Sequence, residues 1–364
     1  MDYKVIIVVL VMAMFFTACE SERVQPESTF LPYAFPGNVG ADPVVLENMN
    51  ELIKEGFYDN IEGVIIIKND RVIFENYYNG HSSDDLMAIG EATQGVFSLG
   101  FNLILNNNEL VSRQSNLIDL FPGYADNFVD QPFKDQINVE HLLAYRSGLE
   151  WNEWEIDDGV TNDLQQMLLS DDYVDYVLSK GLIGEPGLFF EFNSGHFYLM
   201  ENILRTSTDM TIDQYFENTL FSELSINRYR WSNVNDSTLN VLNGLALKPM
   251  DWAKIGYLVL NDGNYKSKQI FEPGLLSYLS QRNGFTSYYQ FGRDWWKFFS
   301  YVSVVNGLQT NDLMFIRGDN GQYLMVVPHL SMVVVIMGNM EPGINEFPLI
   351  ILRDQIIPAV NSVF

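Results

Sequence analysis

At 364 residues, with 47% hydrophobic and 14% aromatic side chains, the chain is long enough for one large domain or two lobes around a sizeable core. A net charge of −26 and a pI near 4.3 argue against nucleic acid and anionic membrane surfaces as partners, because both would repel it. Four histidines and one cysteine give no zinc-ligand spacing and no disulfide, so no metal and no other cofactor is expected.

The chain opens with a short charged region, Met1–Lys4, and an apolar run, Val5–Phe16, too short to span a bilayer. Phe16-Thr-Ala-Cys19 follows and resembles a bacterial lipobox, with Phe16 where leucine is usual. The resemblance implies a signal peptide over 1–18, a lipid anchor at Cys19 and an outer-membrane address in the cell envelope. Glu20-Ser-Glu22 resembles an acidic surface-export signal. Residues 19–40 are polar and proline-bearing and read as a linker. Contact with the membrane is then expected only through the anchor.

Pro43–Glu55 has helical spacing and stops at Gly56. Ile61–Lys68 and Arg71–Tyr78 read as strands joined by Asn69-Asp70, a hairpin whose first strand is apolar enough to lie inside a sheet. Ala92–Ile104 is apolar on every side and predicts a buried helix with its N-terminus at Gly90–Glu91. Gly95 and Gly100 within it suggest a neighbour packed close. A polar turn over Asn106–Glu109 ends that helix, and a further helix from Val139 is expected to stop at Ser147-Gly148. Helices follow over Asp171–Leu178, Phe197–Arg205 and Ile212–Phe221, then one after Leu247 capped by an aspartate. From Phe285 onward the pattern turns to strands: Tyr288–Lys297, Leu313–Ile316, Tyr323–Val327 and Met332–Met337. Phe347–Val363 predicts a closing helix interrupted at Pro358. Tyr288, Tyr289, Trp295 and Trp296 read as core or sheet-face aromatics.

Several ordered stretches resemble the beta-lactamase-related branch of the serine beta-lactamase and penicillin-binding protein superfamily. They are Met87–Asn106, Leu117–Tyr124, Val139–Trp151, Gly184–Gly195, Leu247–Gly263 and Phe315–Pro328. The resemblance spans about residues 45–340 and implies an α/β (α+β) fold, an antiparallel sheet flanked by helices beside a mainly helical lobe. The domain would occupy 41–364, with the sheet lobe from about 41–88 and 285–364 and the helical lobe over about 89–284.

In that family the central helix opens with Ser-x-x-Lys, the acylated nucleophile and its base. Here those positions hold Glu91 and Gln94. The Tyr-x-Asn motif becomes Phe192 and Ser194, which removes the proton-relaying hydroxyl. The Lys- or His-x-Gly motif becomes Asp319-x-Gly321, inverting the charge, while Gln322 is kept. No lysine has a serine three residues before it, so no second nucleophile motif exists. A Ser194–His196 dyad is the remaining local candidate, and His141 reads as a structural histidine. No catalytic residue is therefore expected, and the chain reads as a pseudoenzyme.

Three uses of the altered cleft follow from these residues. The Glu91 carboxylate could plug the nest formed by the backbone N–H groups of Glu91 and Gln322. Glu91 and Asp319 could converge, raising one pKa, and bind a cationic or glycan-derived molecule unless Arg317 neutralises them. A relocated nucleophile, or an acid–base pair like a glycosidase's, would keep a hydrolase. The partner is then a small molecule or an envelope protein, with Glu91, Asp319 and Gln322 as ligand-binding candidates.

Overall fold

The computed structural model describes residues 30–107, 110–153, 162–235, 238–281, 284–285, 289–291, 295–298, 312–341 and 346–361. The expected signal peptide, Cys19 and the start of the expected linker lie outside the described residues.

The helices are α1 (Pro43–Lys54), α2 (Ala92–Asn107), α3 (Leu117–Leu120), α4 (Val139–Leu143), α5 (Asp163–Leu169), α6 (Tyr173–Leu178), α7 (Gly195–Thr208), α8 (Ile212–Phe216), α9 (Pro249–Leu260), α10 (Leu275–Leu279), α11 (Phe347–Ile351) and α12 (Ile357–Asn361). The strands of the first part of the chain are β1 (Ile61–Lys68), β2 (Arg71–Tyr77), β3 (Met87–Ala88), β4 (Tyr229–Trp231), β5 (Leu245–Leu247), β6 (Asn264–Tyr265) and β7 (Lys268–Gln269). The C-terminal strands are β8 (Gly284–Phe285), β9 (Tyr289–Phe291), β10 (Trp296–Phe298), β11 (Met314–Arg317), β12 (Tyr323–Val327) and β13 (Met332–Gly338).

Among the described residues, eight strands form one antiparallel sheet in the order β2-β1-β13-β12-β11-β10-β9-β8. The first and last parts of the chain thus share a sheet, as the strand pattern predicts. The β1–β2 hairpin turns at Asn69 and Asp70, both left-handed with φ of 49° and 59°, the conformation a tight two-residue hairpin requires. Period-two alternation divides the sheet's side chains between two cores. Val64, Ile66, Met325, Val334 and Ile336 pack beneath α1, α11 and α12. Ile65, Ile67, Leu324, Val333 and Val335 face α2, α7 and α9. Gly100 lets α2 sit against the ring of Phe216, because a Cβ there would lie 2.2 Å from it.

Several expectations need correction. The run Tyr288–Lys297 is not one strand: β9 and β10 pair antiparallel with each other, and Tyr288 lies outside the described residues. Helix α4 stops at Leu143, four residues early, because Tyr145 takes a left-handed φ of 53°. Asp251 does not cap α9. Pro249 opens that helix, and Asp251 instead pairs with Lys254 at 2.6 Å. Helix α2 continues into the expected turn as far as Asn107. The closing helix runs through Pro358, with a π turn over Leu352–Ile356 before it. That wide turn supplies the offset that proline's missing N–H demands. Part of the expected linker is bound to the body: the Ala34 N–H donates to the Val72 carbonyl at 3.0 Å, and the Val72 N–H to Pro32 at 3.1 Å. This covers part of the edge of β2.

Candidate functional site

The N-terminus of α2 is held from two sides. From the three-stranded sheet β3-β5-β4, the Leu245 carbonyl accepts the Ile89 N–H at 3.0 Å. The Leu245 N–H donates to the Thr93 hydroxyl at 3.2 Å, and that hydroxyl donates to the Gly90 carbonyl at 2.7 Å. From the large sheet, the β11–β12 turn comes into backbone contact. A Cβ on Gly90 (φ 58°) would lie 3.1 Å from the Gly318 Cα, and one on Gly318 would lie 2.7 Å from the Ile89 carbonyl oxygen. Only glycines permit this approach. It sets Glu91 against Asp319, 228 residues later in the chain.

Glu91 Oε2 accepts the Asp319 backbone N–H at 2.7 Å, and the two side chains are in hydrogen-bonding contact. Burial, then the Asp319 carboxylate, pushes the Glu91 carboxyl up to about 7, against the opposing pull of the Glu91 and Asp319 backbone N–H groups. Near neutral pH the Glu91 carboxyl is therefore poised between its protonated and ionised forms. Arg317 donates to the Tyr323 hydroxyl at 3.4 Å.

Gln322 is buried, and its side-chain oxygen accepts the Asn320 N–H at 3.2 Å. That amide oxygen serves the turn rather than an open cleft. Asn320 ties the turn to the chain beyond β13, through Asn320 Nδ2 to the Met340 carbonyl at 2.8 Å and the Met340 N–H to the Asn320 carbonyl at 2.9 Å. Gly321 is left-handed (φ 84°), with the Met340 sulfur 2.6 Å from where a Cβ would sit. Gln94 lies half-buried on the first turn of α2, its N–H bonded to the Glu91 carbonyl at 3.0 Å.

At the second motif the Phe192 ring stacks on Tyr145, with centroids 5.0 Å apart and planes 12° from parallel. Ser194 and His196 do not meet as a dyad. The Ser194 hydroxyl donates to Glu153 Oε1 at 2.9 Å, and its N–H reaches Glu153 Oε2 at 3.2 Å. His196 Nε2 sits 2.8 Å from the Ser147 hydroxyl, which also accepts the Leu149 N–H at 3.2 Å. Both Ser147 and His196 are buried, and burial holds the imidazole down at about 3. This is a neutral, solvent-excluded pair inside the core. Glu153 also accepts the Trp151 indole N–H at 2.6 Å, and burial raises its carboxyl above the usual range. Sequence reading missed Glu153 and Ser147, whose partners lie 41 and 49 residues away. His141 serves its own helix, closing a capping box with Asn138.

The sheet order and the buried α2, with the first and third motif positions meeting at its N-terminus, define a beta-lactamase-type serine hydrolase scaffold. The sequence model of the beta-lactamase family matches residues 54–263, more than half of the chain, and the protein belongs to that family. No curated protein matches it in sequence. Among solved structures it is similar to a Bacillus anthracis protein provisionally described as a 6-aminohexanoate-dimer hydrolase. The two are 17% identical with a TM-score of 0.67, over 91% of this chain and 87% of that one. It is also similar to simvastatin synthase (LovD) from Aspergillus terreus, at 12% identity and a TM-score of 0.65 over 87% and 98% of the two chains. A penicillin-binding protein homologue from Caulobacter crescentus gives 12% and 0.61 over 83% and 93%. Identities this low bear on the fold alone.

Proposed function

We propose that this chain is a non-acylating member of its family: an envelope lipoprotein, tethered through Cys19, that uses the hydrolase scaffold for binding or interaction. The observation that carries the reading is Glu91 at the head of α2. A carboxylate stands where acyl transfer needs a hydroxyl, and it is hydrogen-bonded to the Asp319 N–H at 2.7 Å. A carboxylate can attack an acyl carbon, but the mixed anhydride formed is more reactive than an ester or amide and gives no lasting acyl-enzyme. The other groups of the reaction are replaced in concert: Gln94 is no base, Phe192 carries no hydroxyl, and Asp319 repels the anion that a cation would hold.

The test is the intact mass of the purified chain after incubation with a penicillin and, separately, a fluorophosphonate, beside an active family member that labels fully. An unchanged mass in both is expected. A stoichiometric adduct on either reagent overturns the proposal, and peptide mapping would then locate the nucleophile. For the anchor, a clickable palmitate analogue should label the chain made in its host and fail to label Cys19→Ser.

The contact between the Glu91 and Asp319 carboxyls favours one further use of the same cleft, capture of a cationic group. A cationic ligand's thermal shift should then disappear in both Glu91→Ala and Asp319→Ala.

A further inference from the structure

A cavity of about 320 Å³ lies on the helical lobe and shares no lining residue with the Glu91–Asp319 pair. Its wall is built by one stripe of α7. Tyr198, Glu201, Asn202 and Arg205 follow one another at i, i+3, i+4 and i+7, so they project from a single helix face. Opposite stand Tyr124, from the segment after α3, and Tyr173, the first residue of α6. The volume falls within the range of small-molecule pockets, about 300–1,000 Å³.

The polar groups around this cavity differ in how well they are satisfied. The Tyr124 hydroxyl donates to Asp172 Oδ2 at 2.8 Å, and the Tyr173 hydroxyl accepts from Asn235 Nδ2 at 2.7 Å. The Tyr198 hydroxyl is buried and has no hydrogen-bond partner among the described residues. Phenylalanine would fill that space without leaving a polar atom stranded, so packing does not explain the phenol. Glu201, one turn further, has a side chain 19% exposed, and its charged neighbour among the described residues is Arg205, whose Nε lies 3.8 Å away and whose side chain is 53% exposed. Burial raises the Glu201 carboxyl despite that guanidinium.

We propose that this cavity binds a saccharide ring. A carboxylate acceptor beside a guanidinium donor matches neighbouring hydroxyls, which both donate and accept. The carboxamide of Asn202 adds a donor and an acceptor on the same helix face. The half-buried Tyr173, held edge to face against the buried Tyr198 at 5.3 Å and 79°, offers aromatic surface to the C–H side of a sugar. An anionic ligand is disfavoured because Asp171, Asp172 and Glu201 outnumber Arg205 along the wall. A cationic ligand is disfavoured because Arg205 already faces Glu201. The Asp172 carboxylate is also committed, to Tyr124 and to the Asp175 N–H at 3.0 Å that it caps.

The experiment is saturation-transfer NMR on the purified chain with cellobiose, maltose and N-acetylglucosamine, with choline and acetate as charged controls, each at about 10 mM, enough to reveal millimolar binding. Saturation of at least one sugar is expected, with neither control responding. Tyr198→Phe should weaken that sugar about fivefold or more, while its melting temperature stays equal or rises. Asn202→Ala gives a second variant, with the same weakening expected. Silence from all three sugars, a response from choline or acetate alone, or unchanged sugar affinity in both variants would overturn the proposal.

Discussion

The pairing of Glu91 with Asp319 makes a pH-dependent prediction that separates charge from packing. In the folded chain the Glu91 carboxyl is raised from 4.5 to about 7. Between those values the native state binds more protons than the unfolded state, so this group lowers stability as pH rises through the window. The full shift corresponds to about 3 kcal/mol. Asp319 is exposed, and solvent around it screens the pair, which reduces the expected effect to about 1–2 kcal/mol. Glu91→Gln keeps an oxygen to accept the Asp319 N–H and adds an N–H to face the Asp319 carboxylate. The variant should therefore match the parent near pH 5 and exceed it by about 1–2 kcal/mol at pH 8, roughly 2–4 °C in melting temperature. Urea unfolding at both pH values, followed by far-UV circular dichroism, measures the difference. Equal stability changes at pH 5 and pH 8, or a gain confined to pH 5, would refute the reasoning.

His196 should act with the opposite slope. Burial holds its imidazole at about 3 against an ordinary 6.5, so the unfolded state gains a proton first and stability falls as pH drops from 6.5 toward 3. Comparing the urea midpoints of the parent and His196→Gln across that range should show the slope reduced in the variant. Ser194→Ala removes the hydroxyl that bonds the half-buried Glu153 carboxyl at 2.9 Å. It should destabilise by about 1–3 kcal/mol at pH 8 and by less at pH 5, where Glu153 is more protonated. Gly90→Ala places a Cβ 3.1 Å from the Gly318 Cα at a left-handed φ of 58°. A loss of about 2–3 kcal/mol by urea titration is expected, and a loss under about 0.5 kcal/mol would contradict the close approach.

The legible parts of the chain were those set by local pattern. The apolar run Val64–Ile67 and the Asn69-Asp70 pair specify β1, the hairpin and its bounds almost to the residue. The unbroken apolar surface of α2 and the glycine under Phe216 likewise follow from composition within one helix. Misreadings arose where local signals were ambiguous. Tyr288–Lys297 looks like one strand because β9 and β10 are both aromatic and the sequence between them carries no strong turn pair. Gly148 looks like the helix stop because nothing in the sequence announces a tyrosine at positive φ three residues earlier. Side-chain pairs such as Ser147 with His196 and Glu153 with Ser194 were invisible. Their partners are brought together by the path of the chain between α4 and α7, and no spacing encodes that path. Glu91 and Asp319 were legible at a separation of 228 residues only through the order of the family's motifs.

That contrast explains how the site changed without loss of its frame. The contact between α2 and the β11–β12 turn depends on Gly90 and Gly318, and the turn depends on Gly321 and on the Asn320–Met340 bonds. None of these interactions involves the side chains of Glu91, Gln94 or Asp319. Apart from the Glu91 bond to the Asp319 N–H, the positions that carry acyl chemistry in the family are thus held by backbone geometry rather than by their own side chains. Substitution there alters charge and proton affinity while leaving the fold intact. In this chain the substituted groups still touch one another, and the contact shows itself as a carboxyl held up near neutral pH. A scaffold built to bring a nucleophile, a base and a cation together will bring together any side chains that replace them. It is this proximity that the Glu91–Asp319 pair reports.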